Sequence, residues 1–380
     1  TLLAQMRSLI HLLGNDGETP LATVAAEEGQ TILDALLCAG EAFSYSCQAG
    51  SCGSCKCELV DGDVLPLESS EHALSDEERA RGLILACRTQ VWGDTRIRRL
   101  DDEELLLHPS RLLNCRVSKL DWLTHDIREV RLQHDSPSPL LFSPGQYVDL
   151  EFSVSDPATA QSPATPLKRP YSMACASDDG ELVFQIRHMP DGRASSHVAQ
   201  QLSLGDKVTL SGPHGSAWLR EQHSGPVLMV AGGSGLAPIE AMLSRLLSLR
   251  QIDPAPIYLY VGARTERDLY HQNTLQDWGA ANPSLRLQTV LSQANTAGTA
   301  YSPTTTHGES LRHGHVHQAL EADIAAGLLQ LAGMKAYVAG PPPMVDAVSA
   351  VLTQAGMASR DIHADAFYNQ SDLAGASPST

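Results

Sequence analysis

Ser46-Cys47-Gln48-Ala49-Gly50-Ser51-Cys52-Gly53-Ser54-Cys55 is answered downstream by Cys87 in Leu85-Ala86-Cys87-Arg88. The first three cysteines have four and two residues between them, and Cys87 follows after 31 more. That spacing, Cys-x4-Cys-x2-Cys…Cys, supplies four thiolates to a [2Fe–2S] cluster. Soft sulfur suits iron, and small residues let backbone N–H groups turn towards the cluster sulfurs. Gly50 and Gly53 can take backbone angles closed to other residues. An all-thiolate zinc site usually brings two close Cys-x2-Cys pairs, whereas here one ligand stands alone. Disulfide scaffolds are short secreted chains, and this one has 380 residues with no basic-then-apolar leader. Cys47, Cys52, Cys55 and Cys87 are therefore the expected iron ligands. Cys57 falls on the other side of a strand and is read as packing, while Cys38, Cys115 and Cys175 are isolated and read as buried structural thiols.

Composition bounds the remainder. A chain this long forms two or three domains with substantial cores. Apolar content of 42% and charged content of 19% are those of a soluble globular protein. No run of 18 apolar residues exists, so neither a membrane span nor a secretory segment is expected, and a cytoplasmic location follows. The net charge of −17 disfavours nucleic acid as a partner. Residues 1–106 hold 8 Lys and Arg against 19 Asp and Glu, a net of −11. Such acidity solubilises, and it also offers a docking face for a partner with a basic patch.

In chain order, Ser8–Leu13 and Leu21–Val24 read as strands around a turn at Gly14-Asn15-Asp16-Gly17. Thr31 caps a helix through Cys38 with Ile32, Leu33, Leu36 and Leu37 on one face. Lys56–Val60 alternates as a strand with Asp61-Gly62 as its turn, and Ser75-Asp76-Glu77-Glu78 is a capping box. This is a small β-grasp pattern over residues 1–106, with Asp101–Ser110 as the linker after it.

Residues 112–222 read as short strands at Asn114–Leu120, Ile127–Gln133, Tyr147–Phe152, Leu182–Ile186 and Lys207–Ser211, which suggests an antiparallel β-barrel. Within it, Arg169-Pro170-Tyr171-Ser172 places a cation, an aromatic ring and a hydroxyl together. These suit neutralising a phosphate, covering a flat ring system and bonding its reactive nitrogen. Gly192-Arg193-Ala194-Ser195 opens a helix whose free N–H groups suit a pyrophosphate.

From residue 223 the period changes. Pro226–Ala231 is a buried parallel strand. It runs into Gly232-Gly233-Ser234-Gly235-Leu236-Ala237-Pro238 and a helix through Leu249, a pattern that brings backbone and helix N-terminus to a dinucleotide. Strands Pro256–Val261, before Gly262-Ala263-Arg264-Thr265, and Ala336–Ala339, before Gly340-Pro341-Pro342-Pro343-Met344, repeat it, and Leu285–Leu291 adds another strand. A doubly wound α/β domain over residues 223–368 follows, with a disordered tail at 369–380.

The whole chain, from about residue 8 to residue 368, resembles the fused ferredoxin–flavin–nicotinamide reductases of the ferredoxin–NADP reductase superfamily, electron-supplying components of aromatic-ring dioxygenases and related monooxygenases. It looks most like the terephthalate dioxygenase reductase branch, through Tyr45-Ser46-Cys47, Arg187-His188-Met189, Val198-Ala199-Gln200-Gln201-Leu202 and Ile362-His363-Ala364-Asp365-Ala366-Phe367. The resemblance implies a β-grasp ferredoxin, an FAD-binding barrel and a nucleotide domain. It implies that Tyr171 lies against the isoalloxazine, that Arg169 meets the pyrophosphate and that Ser172 approaches flavin N5. Ser195 would bind phosphate beside Gly192. Gly233, Gly235 and Pro238 would shape the dinucleotide loop, with Gly340, Pro341 and Met344 opposite. Phe367 would shield the flavin until nicotinamide displaces it, with Tyr368 a second candidate. Two stretches depart from the family pattern: Ser153–Lys168 and Asn295–Arg312 read as inserted mobile surface loops. His313, His315 and His317 alternate on a connector and are read as incidental rather than metal-binding.

A nicotinamide gives two electrons as hydride and a [2Fe–2S] cluster accepts one, so a flavin must stand between them. The expected sequence is hydride transfer from NAD(P)H to flavin N5, single-electron steps to the cluster, then delivery to a separate oxygenase. A potential near about −400 mV for this ligand type suits a Rieske acceptor. Arg264 and Arg267 could meet a 2′-phosphate, but Glu266 and Asp268 would repel one, which leans towards NADH. The same relay could serve a diiron monooxygenase or a deoxysugar dehydratase. A cluster-based redox sensor is the non-enzymatic alternative.

Overall fold

The computed structural model describes residues 7–45, 48, 50, 53–71, 73–100, 108–154, 165–250, 254–293 and 310–367. They fall into two compact units, one within residues 1–107 and the other within 108–369.

Period-two alternation builds the first sheet. Its strands are β1 (Arg7–Leu13), β2 (Pro20–Glu27), β3 (Lys56–Pro66), β4 (Leu83–Leu85) and β5 (Thr89–Arg98), in the order β2-β1-β5-β3-β4. β1 and β5 run parallel, which requires a crossover, and helix α1 (Ile32–Cys38) lies within it. Thr31 Oγ1 accepts from the Asp34 N–H at 3.1 Å and so starts α1 where its sequence indicated. Ile10, Ile32, Leu36 and Ile97 are completely buried between helix and sheet. The Ser75 capping box opens α2 (Asp76–Ala80), and Glu78 reaches Lys56 Nζ at 2.6 Å.

Two expectations fail here. Asp61-Gly62 is not a turn: β3 continues through it to Pro66 with register shifts on either side. Gly62 lies so close to β5 that an added Cβ would meet Thr95 Cα at 2.6 Å, so it marks a strand irregularity rather than a hairpin. Cys38 is exposed, because it ends α1 on the solvent side. Cys57 is fully buried in the core, as packing requires.

The second unit contains two sheets. β6 (Arg111–Trp122), β7 (Ile127–His134), β8 (Tyr147–Val154), β9 (Thr165–Ser172), β10 (Leu182–Arg187) and β11 (Lys207–His214) form a curled antiparallel sheet in the order β10-β7-β6-β11-β8-β9. A bridge between Met173 and Phe184 brings its two edges together and curls it into a barrel. Helix α3 (Arg193–Gln200) packs beside β9 and β10. The barrel buries Cys115, and burial pushes its thiol up to about 12. Cys175 is only partly buried against the same core, and burial raises its thiol to about 11.

The other sheet is wholly parallel: β12 (Val227–Gly232), β13 (Ile257–Ala263), β14 (Leu285–Leu291), β15 (Ser310–His313), β16 (Lys335–Gly340) and β17 (Ile362–Ala366). Its order is β15-β14-β13-β12-β16-β17. Every residue of β12 is buried, with Val227, Met229 and Ala231 in one core and Leu228 and Val230 in the other. Helices α4 (Leu236–Leu249) and α5 (Gln272–Ala281) join the first core, α6 (Val316–Ala325) and α7 (Pro342–Gln354) the second.

The sequence reading assigns no strand to β4, β5, β15 or β17, and it takes Arg169–Ser172 as a binding motif rather than as part of strand β9. β8 and β9 pair from Tyr147↔Ser172 to Val154↔Thr165, so the first apparent insertion extends a hairpin at both ends. Residues 155–164 lie outside the described residues. The second insertion ends in β15 at Ser310–Arg312, and its remainder also lies outside them. So do Tyr368, the 369–380 tail and residues 101–107 of the expected linker. Among the described residues no helix is long and apolar enough to cross a membrane.

Candidate cofactor sites

Cys55 follows the cysteine loop immediately before β3, and Cys87 sits in a short helical turn after β4. Their sulfurs lie 3.2 Å apart, both buried, and the Cys87 N–H points at Cys55 Sγ over 3.5 Å. Gly50 and Gly53 both have positive φ, 76° and 73°. An added Cβ at Gly50 would meet Arg88 Cγ at 2.7 Å. The Ser70 N–H donates to the Gly50 carbonyl at 3.0 Å, and Arg88 Nε holds the Glu68 carbonyl at 2.8 Å. Thus Glu68, Ser69, Ser70 and Ala73, which sequence reasoning passed over, buttress the loop. Cys47 and Cys52 lie outside the described residues. The converging thiols and the glycine-shaped loop fit an iron–sulfur cluster.

On the barrel, pairing of Leu150 with Arg169 and Val148 with Tyr171 puts Arg169 and Tyr171 on one face of β9. Tyr171 packs edge-on against Phe152, ring centroids 6.4 Å apart, and burial pushes its phenol up against the pull of Arg169. Pro170 is exposed opposite Asp149. Ser172, on the other face, donates from Oγ to Asp365 Oδ2 at 3.0 Å. Asp365 belongs to β17, and the next residue but one, Phe367, donates its N–H to the Gly340 carbonyl at 2.9 Å. No role for Asp365 was read from sequence; its signal is an acid beside the terminal aromatic.

Gly192 is the N-cap of α3 and Ser195 lies in its first turn. The buried Ser195 hydroxyl folds back, accepting from the Met189 N–H at 3.0 Å. It therefore braces the turn and leaves the first backbone N–H groups of α3 as the anion-facing donors. An added Cβ at Gly192 would lie 2.6 Å from Ser195 Oγ. This cradle and the Arg169–Tyr171 face fit a flavin dinucleotide.

In the parallel sheet the strand order switches sides between β12 and β16, and the loops after both meet there. An added Cβ at Gly235 would land on the Ala339 carbonyl, and Met344 Sδ and Pro341 occupy the space beside Gly232. Gly233 has φ +56°, and Pro238 is buried in the first turn of α4. The interlocked loops leave bare backbone at a helix N-terminus, which fits a dinucleotide. Arg264, at the end of this edge, is tied to Asp126 Oδ2 at 3.4 Å and Asp268 Oδ1 at 3.2 Å. Arg187 also grips Asp126, at 2.8 Å, and Arg267 Nε contacts His125 Nδ1 at 3.3 Å. His315 caps α6 and stacks on His317.

Comparisons with known proteins agree with this division. Residues 16–91 match the 2Fe-2S iron-sulfur cluster binding domain family, 114–218 the oxidoreductase FAD-binding domain and 229–350 the oxidoreductase NAD-binding domain. The reductase component of the naphthalene 1,2-dioxygenase system of Pseudomonas putida is 37% identical over 90% of this chain and 94% of its own. The phenol 2-monooxygenase reductase component of a Pseudomonas species is 34% identical over 93% and 94%. Among solved structures, the Amycolatopsis cytochrome P450 reductase has a TM-score of 0.69 at 31% identity, covering 95% of this chain and 98% of that one. With three cofactor modules in one chain and relatives matched along nearly their full length, this protein belongs to the ferredoxin–NAD(P)+ reductase components of oxygenase systems, enzymes that relay electrons from a nicotinamide through FAD and a [2Fe–2S] cluster.

Proposed function

We propose that this reductase draws on NADH and serves a terminal aromatic-ring dioxygenase with a Rieske centre, acting on an aromatic carboxylate. The observation that carries the flavin's placement is the Ser172–Asp365 hydrogen bond, which joins barrel strand β9 to the end of β17 beside the Gly340 loop. FAD, when bound, accepts hydride and releases electrons singly, and the cluster carries them one at a time. Arg169 neutralises the flavin pyrophosphate together with the α3 N-terminus at Gly192 and Ser195. Tyr171 covers the flat ring system, with Pro170 fixing its strand. Ser172, whose proton is engaged by Asp365, presents oxygen lone pairs to an N–H group of a bound ring. Gly233, Gly235, Pro238, Gly340, Pro341 and Met344 receive the nicotinamide dinucleotide, and Phe367 covers the face where it docks. Cys47, Cys52, Cys55 and Cys87 hold the irons. We place the module boundaries at 1–106, 112–222 and 223–368. Four reduced cysteine ligands fit a cytoplasmic location.

NADH is supported by the pairing of Arg264 with Asp126 and Asp268, since a 2′-phosphate there would have to displace carboxylates. Kinetics with both nucleotides tests this, and a higher kcat/KM for NADPH overturns it. The relay is tested with Cys87→Ser, which should lose cytochrome c reduction while NADH still bleaches the flavin. A second reading, delivery to a diiron monooxygenase, is supported by the phenol 2-monooxygenase relative. Reconstitution with purified dioxygenase and monooxygenase partners separates the two by which one turns over.

A further inference from the structure

Behind the dinucleotide loop lies a buried chain of polar groups that the relay itself does not use. Tyr270 Oη donates to Gln185 Oε1 at 2.6 Å and also faces the Gly233 carbonyl at 3.3 Å. Gln185 Nε2 donates to Glu240 Oε2 at 2.8 Å, and His271 Nδ1 meets Glu240 Oε1 at 2.8 Å. Tyr270, Gln185 and Glu240 are each only 6% exposed. They come from three elements: Gln185 from barrel strand β10, Glu240 from α4, and Tyr270 and His271 from the segment before α5.

The direction of the chain follows from donor chemistry. An ionised Glu240 only accepts, so it turns the Gln185 amide nitrogen towards itself and the amide oxygen towards Tyr270. Tyr270 is then fixed with its hydroxyl at Gly233, in a Gly-Gly-Ser-Gly stretch with almost no side chain to hold its shape. Glu240 sits in the second turn of the helix whose first turn faces that loop. A buried carboxylate needs a cation, and His271 supplies it; the bond to Glu240, against burial, holds the imidazole above its ordinary value. The other groups facing His271 are Glu129 and Arg131 of β7 and the Tyr270 ring, edge-on at 5.0 Å.

We propose that Gln185, Tyr270, Glu240 and His271 form a positioning network that holds the Gly233 backbone ready for the nicotinamide dinucleotide, and that the charge on His271 keeps it set. The proposal rests on reading Gly232–Pro238 as the dinucleotide loop. Because the bond to Glu240 raises the His271 value, the imidazolium persists to higher pH than that of an ordinary histidine, and the network is intact below the elevated value. It loosens as pH rises through the elevated histidine value, so nucleotide affinity falls in that direction.

The test is NAD+ binding by calorimetry to the full-length, flavin- and cluster-loaded protein, between about pH 6 and about pH 9. Wild type should lose affinity about fivefold or more across that range. His271→Gln should bind weakly with a flattened profile, His271→Lys should hold tight binding to the upper end, and Tyr270→Phe should raise Kd with flavin content unchanged. A wild-type slope in both His271 variants, or wild-type affinity in Tyr270→Phe, overturns the proposal. If His271→Gln does not retain FAD, His271→Lys and Tyr270→Phe decide it. Wild type that binds no NAD+ overturns the reading of the loop itself, a result distinct from variants that merely match wild type.

Discussion

Ser172 and Asp365 are 193 residues apart in sequence, yet the serine hydroxyl donates to the aspartate carboxylate at 3.0 Å. One sits at the end of a barrel strand and the other on the edge strand of the parallel sheet. The bond therefore fixes both the serine rotamer and the approach of the C-terminal segment. A hydrogen bond to a charged group contributes about 1.5–3 kcal/mol, or about 10- to 100-fold in rate if fully expressed in the transition state. Ser172→Ala and Asp365→Ala should each slow flavin bleaching by NADH in stopped flow by about tenfold or more. The double variant should be much less than multiplicative, because both substitutions remove one interaction.

Cys55 and Cys57 are two residues apart and both buried, and Cys55 Sγ lies 3.2 Å from Cys87 Sγ. Cys55→Ser should abolish the cluster's visible absorption. Cys57→Ala should keep the spectrum and lower thermal stability, by about 1–2 kcal/mol for a small core truncation. A lost spectrum in Cys57→Ala would reassign the ligand set.

Gly235 has ordinary helical backbone angles, φ −62° and ψ −12°. Its restriction is purely steric, since a methyl group would strike the Ala339 carbonyl. Gly235→Ala should separate the two strand-end loops, cost about 1–3 kcal/mol as overpacking does, and weaken NAD+ binding in calorimetry. Gly356→Ala, where an added Cβ has open space but φ is +95°, should lower stability through backbone strain and leave NAD+ binding unchanged.

Asp178 is buried among donors: His134 Nε2 at 2.7 Å, the Leu140 N–H at 2.6 Å and the Gly180 N–H at 3.0 Å. Burial opposes its charge, but these donors outweigh burial and hold the carboxyl below its ordinary value. A lowered folded value means the contribution is complete above the unfolded carboxylate range, near about pH 4, and is lost as pH falls through the folded value. Asp178→Asn should destabilise the barrel at neutral pH and make its acid unfolding less steep, as followed by tryptophan fluorescence.

Tyr171 should be the main contact for flavin retention. Tyr171→Ala should purify with less FAD per polypeptide than wild type, measured by absorbance ratio, while the iron content stays unchanged.

Locally encoded features were legible without the fold. Thiolate spacing, the Thr31 cap, the Ser75 capping box and the all-apolar run of β12 each depend on neighbours within a few residues, so sequence alone determined the three-module plan and the candidate ligand loops. Strand β9 was hidden because Arg169-Pro170-Tyr171-Ser172 is polar and interrupted by proline. Gly62 was misread because a glycine in a turn and a glycine at a close strand approach look alike in sequence. Only the tertiary structure decided that Ser172 meets Asp365, that Gly235 lies beneath the Ala339 carbonyl, that Arg264 is held by two carboxylates, and that Glu240, Gln185, Tyr270 and His271 form one network. These pairings join residues far apart along the chain, and no local propensity encodes them; the placing of β16 beside β12 brings Gly235 to Ala339, and the packing of the barrel against the parallel-sheet domain brings the others together.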